Sequence, residues 1–444
     1  MALDYVFRID QPHIRGQLAK ICTRIADAEG LIGDIVTINM GRDRSVREIT
    51  VEVDDYESAA NVAEHIQSLE DVRVLSFFDR AVHAHEGGKL SVGGLKPMRT
   101  LQHMRDVYTP GVARVCAAIS EQPALASRFT MIGRTVAICT NGTRVLGLGD
   151  IGPVASMPVM EGKALFYAQM VGLSAMPILI DCDDVEEFVE TVIRIAPGFG
   201  AIHLEDIRVP DCFEIERRLI SELDEPVMHD DVHGTGVVTL AAALAACEQV
   251  GIELSRATVG QIGLGAAGFG IAETMVEGGA ATVLGSDPNE RSHERAREVG
   301  IEIASIERVM SECDLVVATT GVPGLIKPEM VRKGSVVFAL TNPVPEIEPD
   351  QALAAGAAYA ADGTSVNNVL GFPGIFRGAL AAGAGEISRG MKLAAAQAIA
   401  GLTKESELVP DALDPAVHLA VADAVELAAV DEGLARPERV PAGL

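Results

Sequence analysis

One segment constrains this chain's fold more than any other: "ATVGQIGLGAAGFGIAETMVEGG", residues 257–279. An apolar strand runs into Gly263, Leu264, Gly265, Ala266, Ala267 and Gly268, and these open a helix closed by glycines. In such a GxGxxG turn the first glycine permits the tight bend and the second lets the backbone approach a pyrophosphate. The third lets helix and strand pack closely, and the helix N-terminus faces the phosphates. Alone the pattern is weak. Here Asp287 stands about 20 residues on, at the end of the next strand, "ATVLGSD", as a ribose-binding acid should. A carboxylate there accepts from both ribose hydroxyls of NAD and repels the 2′-phosphate of NADP. NAD is therefore the expected cofactor, with NADP as the alternative.

Beyond residue 256 strands alternate with helices: "NERSHERAREVG" follows as a helix, then "DLVVATTG" and "SVVFALTNP" as strands. That alternation predicts a parallel, doubly wound α/β sheet of Rossmann type, placed at 229–390. Residues 81–228 mix helices with the short apolar strands "TVAICT", "MPILIDC" and "AIHLED" and read as a second α/β domain. Residues 391–444 read as helices packing back on that middle domain. Residues 1–80 run strand, helix, two strands around "GRDRS", helix, strand, a ferredoxin-like βαββαβ order. The Gly- and Lys-rich segment 84–97 marks the boundary after it.

The 444 residues carry a net charge of −27, which argues against nucleic acid and anionic membrane as partners. Seven scattered cysteines without a CxxC pair suit a reducing cytoplasm and offer no disulfide framework. No signal peptide and no uninterrupted membrane-length apolar run is read.

The carboxylates are the second constraint. "AIHLEDI" ends a strand with Glu205 and Asp206, and "HDDVHGTG" places Asp230 and Asp231 before an apolar helix. Singly, each is an ordinary solvated strand end or helix cap. Together they would converge on one sheet rim, where like charges repel unless a cation neutralises them. An oxygen-only set suits Mg²⁺ or Mn²⁺. His229 and His233 are structural on this reading. Lys163, in "VMEGKALF" at an expected helix start, is either a snorkelling surface residue or, facing those acids, a base. Tyr108, beside the turn "TPG", is either packing or a proton donor.

In order, "YTPGVA", "TRVLGLGDIGPVASMPVMEGKALF", "HLEDI", "HDDVHGTG", "GLGAAG", "TNPVPE" and "VNNVLGFPGIFRGAL" resemble the signatures of malic enzymes over about 85–380. The resemblance implies oxidative decarboxylation of (S)-malate to pyruvate and CO₂, with NAD(P) and Mg²⁺ or Mn²⁺. It implies Tyr108 as general acid and Lys163 as general base. Glu205, Asp206 and Asp231 would be metal ligands. Arg144, Asn342 and Asn368, with Lys163, would bind substrate, and Asn342 would also line the cofactor site with 263–268 and Asp287. Family members write "DDQHGT" or "DDIQGT" where this chain has "DDVHGT"; the ligand position is intact. A homodimer or larger assembly is implied as well.

Residues 1–80 are similar to an ACT domain: "RIDQPHIRGQLAKI" to its first strand, turn and helix, "AEGLIGDIVTI" to its effector-binding corner. That implies a small-molecule effector near Gln11, His13, Arg15 and Gly30–Asp34. Two rival functions are a metal-free NAD-dependent amino-acid dehydrogenase, which would not need Glu205, Asp206 and Asp231, and a non-catalytic metabolite sensor.

Overall fold

The computed structural model describes residues 3–145, 147–404 and 407–441. The first two and last three residues of the expected terminal domains lie outside the described residues. The chain divides after Lys89 into two compact units.

The first unit comprises β1 (Leu3–Pro12), α1 (Gln17–Asp27), β2 (Leu31–Met40), β3 (Arg44–Val53), α2 (Tyr56–Gln67), β4 (Arg73–Asp79) and the short α3 (Arg80–Ala84). Successive strand side chains point to opposite faces, so the alternation in "YVFRI" buries Tyr5, Phe7 and Ile9. Helix α1 starts only at Gln17 because Gly16 holds a left-handed φ of +79°. Asp55 caps α2, accepting from the Ser58 amide at 2.8 Å. The strands form an antiparallel sheet in the order β2-β3-β1-β4, and Phe7, Ile9, Ile21, Ile25, Ile49 and Val62 pack the core. Every residue of β2 is exposed.

The second unit opens with three short helices, α4 (Leu101–Val107), α5 (Val112–Glu121) and α6 (Leu125–Phe129). There follow β5 (Thr135–Thr140), α7 (Gly152–Phe166), β6 (Ser174–Leu179), α8 (Val185–Ile195), β7 (Ala201–Leu204), α9 (Asp211–Glu222) and β8 (Val227–His229). The four strands are parallel, in the order β6-β5-β7-β8. β5 and β7 are buried along their whole length, as strands covered on both faces must be.

Helix α10 (Thr235–Val250) leads into β9 (Thr258–Ile262), α11 (Ala266–Glu277), β10 (Thr282–Ser286), α12 (Glu290–Glu298), β11 (Glu302–Ile303), α13 (Ile306–Glu312), β12 (Leu315–Ala318), β13 (Val336–Ala339), α14 (Pro349–Ala355) and β14 (Tyr359–Asp362). This second parallel sheet has the order β11-β10-β9-β12-β13-β14, so the direction of winding reverses between β9 and β12. Dinucleotides bind at such a switch point, outside the strands' carboxyl ends. β11 has only two residues, and β14, "YAAD", lacks the valine run that marks β12 and β13, so neither stands out in the sequence pattern.

The tail folds as α15 (Phe372–Ala382), α16 (Arg389–Leu402) and α17 (Pro415–Asp431). Helix α17 packs on α15, α16 and the turn Tyr167–Val171, while α16 packs on α10 and α11. α10 is buried on nearly every side, which explains its lack of a polar face. No helix among the described residues is long and apolar enough to cross a membrane.

Candidate active site

β7 and β8 are parallel neighbours, with Leu204 paired to His229. Glu205 and Asp206 therefore leave one strand, and Asp230 and Asp231 the next, at the same end of the sheet. Oxygens of Glu205, Asp206 and Asp231 lie within 4.8 Å of one another, as do ligand atoms of His203, Glu205 and Asp230. Asp206 takes a left-handed φ of +55°, which Asp tolerates better than most residues. Its amide donates to Asp231 Oδ2 at 2.9 Å. The helix expected to begin at the acids opens instead with one widened turn, Asp230–Gly234, before α10. Such turns recur at functional sites. Gly234 is required there, because a Cβ would overlap the Asp230 carboxylate.

Lys163 sits in the last turn of α7, not at a helix start. Gly152 and Pro153 begin that helix, and it continues through Pro158 to Phe166. The Lys163 ammonium, 11% exposed, lies 3.0 Å from Glu205 Oε1, pairs with Asp230, and stands 4.6 Å from the Phe372 ring centroid. Burial alone would lower Lys163, but Asp230, Glu205 and Asp231 outweigh it and hold the ammonium above its ordinary value. Burial pushes Asp230 up to about 6 and raises Glu205, the latter helped by Asp231, against the pull of Lys163. Burial is the main cause of both shifts. A hard divalent cation fits the three-carboxylate set by its oxygen-only donor chemistry.

Four residues not singled out from the sequence surround these groups. His203 Nε2 is 2.8 Å from Glu205 Oε2, and the Tyr167 hydroxyl is 2.9 Å from His203 Nδ1. Burial holds His203 down at about 4, so the ring is neutral; Nε2–H donates to the carboxylate and Nδ1 accepts from tyrosine. Its position two residues before Glu205 was the available signal, since residues i and i+2 of a strand share a face. Glu216 on α9 accepts from the His229 amide at 2.7 Å and lies 3.1 Å from His233 Nε2. His233 Nδ1 in turn meets Lys392 at 3.1 Å. Nothing in the spacing of "CFEIERR" points to that role.

Of the other sequence candidates, the Arg144 amide donates to the Asp206 carbonyl at 3.1 Å, placing its backbone beside the acids. Asn368 opens the turn Asn368–Leu370, which packs on the Asp230–Gly234 turn and on α10. Asn342, past β13, donates to the Gly363 carbonyl at 3.2 Å. Tyr108 stands apart: it ends α4, its side chain is 64% exposed, and among the described residues its hydroxyl makes no hydrogen bond.

At the glycine turn, Gly263 has φ +88° and a Cβ would lie 2.7 Å from the Thr319 carbonyl oxygen. Gly265 faces open space, with nothing within 4 Å of a Cβ. A Cβ on Gly268 would collide with the Gly263 carbonyl. No side chain caps α11, which leaves its first amides available to an anion. Asp287 Oδ2 accepts from the Leu264 amide at 2.6 Å and Oδ1 from Asn289 at 2.7 Å, so the acid also shapes the loop. Arg295 packs against the edge-to-face pair Phe213 and Phe269, 3.9 and 4.8 Å from their ring centroids, and donates to the Leu264 carbonyl at 3.3 Å. The turn and the carboxylates are joined by packing: α11 lies directly on Asp230–Gly234, with Gly270 against the Val232 carbonyl.

Comparison with known proteins agrees along most of the chain. Residues 88–220 match "Malic enzyme, N-terminal domain" and 286–430 match "Malic enzyme, NAD binding domain". Residues 236–323 match "D-isomer specific 2-hydroxyacid dehydrogenase, NAD binding domain". The chain is 53% identical over 424 residues to NAD-dependent malic enzyme 1 of Bacillus subtilis (strain 168), across 95% of this chain and 97% of that one. It is 40% identical over 450 residues to the NAD-dependent malic enzyme of Geobacillus stearothermophilus, across 95% and 94%. The solved malic enzyme of Pyrococcus horikoshii superposes with a TM-score of 0.76 at 37% identity, over 80% of this chain and 91% of that one.

Proposed function

The chain belongs to the malic enzyme family, and from that premise we propose that it converts (S)-malate to pyruvate and CO₂ while reducing NAD. The observation that carries this reading is the meeting of Lys163 with Glu205, beside Asp206 and Asp231, at one sheet rim. When bound there, Mg²⁺ or Mn²⁺ would polarise the substrate's C2 oxygen and stabilise the charge left by decarboxylation, and NAD at Gly263–Gly268 and Asp287 would accept the hydride.

The chain's own residues do the rest. Arg144, Asn342 and Asn368 hold the malate carboxylates, so that the C2–H bond is oriented for transfer. Lys163 takes the hydroxyl proton as the hydride leaves. A second positive charge among its carboxylate partners lowers the cost of presenting Lys163 neutral, by like-charge repulsion. After CO₂ departs, Tyr108 returns a proton to C3 and pyruvate results. Phe372, over Lys163, limits water around that amine.

The test is NADH formation and CO₂ release from malate, with and without Mn²⁺. Turnover that needs both malate and the cation supports the reading. Metal-independent oxidation of an amino acid would replace it with the dehydrogenase alternative, and no turnover at all with a sensor.

Residues 1–80 are read as an ACT-type regulatory domain, supported by their βαββαβ order and strand arrangement; 81–228 as the substrate domain, 229–390 as the NAD domain and 391–444 as helices that buttress them. The proposed effector corner brings Gln11, 1% exposed, near Ser45 at 3.5 Å, while Gly30 accepts no larger residue, its Cβ lying 2.6 Å from Val51. The assembly is read as a cytoplasmic homodimer or larger. A chain beginning at residue 84 should keep the chemistry and lose any response to amino acids, nucleotides or acyl-CoA. Equal responses of the short and full chains would refute the sensing role.

A further inference from the structure

The register of the dinucleotide sheet pairs Ala318 of β12 with Ala339 of β13, so Thr320 and Thr341 leave the two strands side by side. Both hydroxyls donate to one oxygen, Glu346 Oε1, at 2.8 and 2.5 Å. The Thr320 amide reaches the same oxygen at 2.6 Å, and the Thr341 amide donates to Oε2 at 3.3 Å. Glu346, 0% exposed, thus lies beneath two loops whose Val322 and Val344 are exposed. Two backbone bonds stitch the same loops: Gly324 donates to the Pro345 carbonyl at 3.1 Å, and Ile326 to the Glu346 carbonyl at 3.0 Å.

The clamp reaches further on both sides. The Thr319 hydroxyl accepts from Gln261 Nε2 at 2.9 Å, and the Thr319 carbonyl is the group that a Cβ on Gly263 would strike. The loop after β12 therefore leans on the glycine turn. Next to Thr341, Asn342 donates to the Gly363 carbonyl, just past β14. One buried carboxyl group so joins the turn proposed to hold the pyrophosphate to the asparagine proposed to hold the substrate. It does this at the strand ends beside the switch point. Packing alone does not call for it. Burying a carboxylate is costly unless it is hydrogen-bonded, and replacing a polar pair by apolar groups of the same shape is nearly neutral for stability. Its four donors are amides and hydroxyls, none cationic, and each fixes one atom of a loop.

We propose that Glu346 is a positioning residue for malate oxidation: by clamping the loops after β12 and β13 it fixes Asn342 relative to the bound dinucleotide, so that the C2–H bond of malate meets the nicotinamide in line for transfer. Buried below the loops, it acts through Thr320 and Thr341 and touches neither substrate nor cofactor. A misplacement of about 1 Å at the reacting atoms costs on the order of 100-fold in rate, and a loop released from its clamp has that latitude. The effect falls on the hydride step and not on the cation, whose carboxylates leave the other sheet. The inference rests on the proposed function, and one experiment separates their failures.

Three variants of the full chain test it. Thr341→Val keeps the shape of the side chain and removes the hydroxyl that donates to Glu346 and accepts from the Gly321 amide. Thr341→Ser restores that hydroxyl. Glu346→Gln keeps the size and sets an amide donor against one of the two backbone amides. Each is compared with wild type for malate-dependent NADH formation with Mn²⁺, for the isotope effect with malate deuterated at C2, for Mn²⁺ affinity by titration and for melting temperature. Thr341→Val should lose at least about 10-fold in kcat and Glu346→Gln on the order of 100-fold, with an isotope effect no smaller than the wild type's and unchanged Mn²⁺ affinity. Thr341→Ser should recover most of the rate. Wild-type kcat in Thr341→Val and Glu346→Gln would overturn the role, even if both melt earlier, because the clamp would then serve stability alone. A rate loss that serine does not recover, a smaller isotope effect, or an equal fall in Mn²⁺ affinity would overturn it too. Should Glu346→Gln not fold, the two Thr341 variants decide. A wild type that does not turn over malate refutes the proposed function itself, before any variant is compared.

Discussion

Adding a single methyl at Gly270 should do two things at once. The residue lies inside α11, where intrinsic propensity favours alanine over glycine by about 1 kcal/mol. A Cβ there would lie 2.6 Å from the Val232 carbonyl carbon and 2.9 Å from Val232 Cγ1. Carbon atoms at rest are roughly 3.5–4.0 Å apart, so α11 and the Asp230–Gly234 turn must separate by about 1 Å. Two of the three atoms met are backbone, which a rotamer change does not relieve. Overpacking of this kind costs typically about 1–3 kcal/mol, enough to cancel or reverse the propensity gain. The turn that must move carries Asp231, and a displacement near 1 Å at a reacting centre costs on the order of 100-fold in rate. We therefore expect Gly270→Ala to be destabilised by up to about 2 kcal/mol net, to bind Mn²⁺ more weakly, and to lose on the order of 100-fold in kcat. Gly265→Ala is the control: a Cβ there meets nothing within 4 Å. It should unfold like the wild type and chiefly raise KM for NAD, by crowding the pyrophosphate. The assays are thermal unfolding, Mn²⁺ titration and steady-state kinetics. A Gly270→Ala protein more stable than wild type, with unchanged Mn²⁺ affinity, would refute the reasoning.

Other expectations follow from single contacts. Asp231→Asn removes one anion from a hard-cation site and the acceptor of the Asp206 amide; Mn²⁺ affinity should fall and turnover nearly vanish, and an unchanged titration would sink the assignment. His203→Leu removes the donor to Glu205 and the acceptor for Tyr167, so Mn²⁺ affinity should drop roughly 10–100-fold, while His203→Gln should recover part of it. Burial alone would raise Glu216, but His233 and the ring and amide of His229 hold it down at about 2, against an ordinary value of 4.5. A carboxyl lowered by folding stabilises the protein above its unfolded pKa, so this contribution, at most roughly 3 kcal/mol, is complete above pH 4.5 and lost as pH falls toward 2. Acid unfolding monitored by circular dichroism should therefore show Glu216→Gln less stable near neutrality and converging with the wild type at low pH; parallel curves would contradict it. With Asp287 anchoring the loop and Arg295 held against two phenylalanines, kcat/KM should be higher with NAD than with NADP, and the opposite ranking would overturn the cofactor reading.

The dinucleotide sheet could be read from the chain because its evidence is local. Gly263, Gly265 and Gly268 sit between a strand and a helix within one short stretch, and Asp287 closes the next strand. Covalent connectivity sets those distances, and the backbone demands at such a turn exclude most residues. The βαββαβ order at the N-terminus was legible for the same reason: its periods change from 2 to 3.6 and back at turn residues. Tertiary structure alone decided which distant groups meet. Glu205 and Asp231 are 26 residues apart and come together only because β7 and β8 lie side by side and parallel. Lys163 was misplaced on its helix because Pro153 and Pro158 both sit in α7, and no local rule said that the second would be tolerated. The neighbours of Lys163 were out of reach altogether: Phe372 arrives from the tail, and the Tyr167–His203 pair crosses from α7's end to β7. Burial decided the charges, since a carboxyl's pKa depends on what surrounds it in space and not on its neighbours in sequence. Tyr108 shows the same limit: its motif is plain in the chain, but its exposure at the end of an uncovered helix belongs to the folded molecule alone.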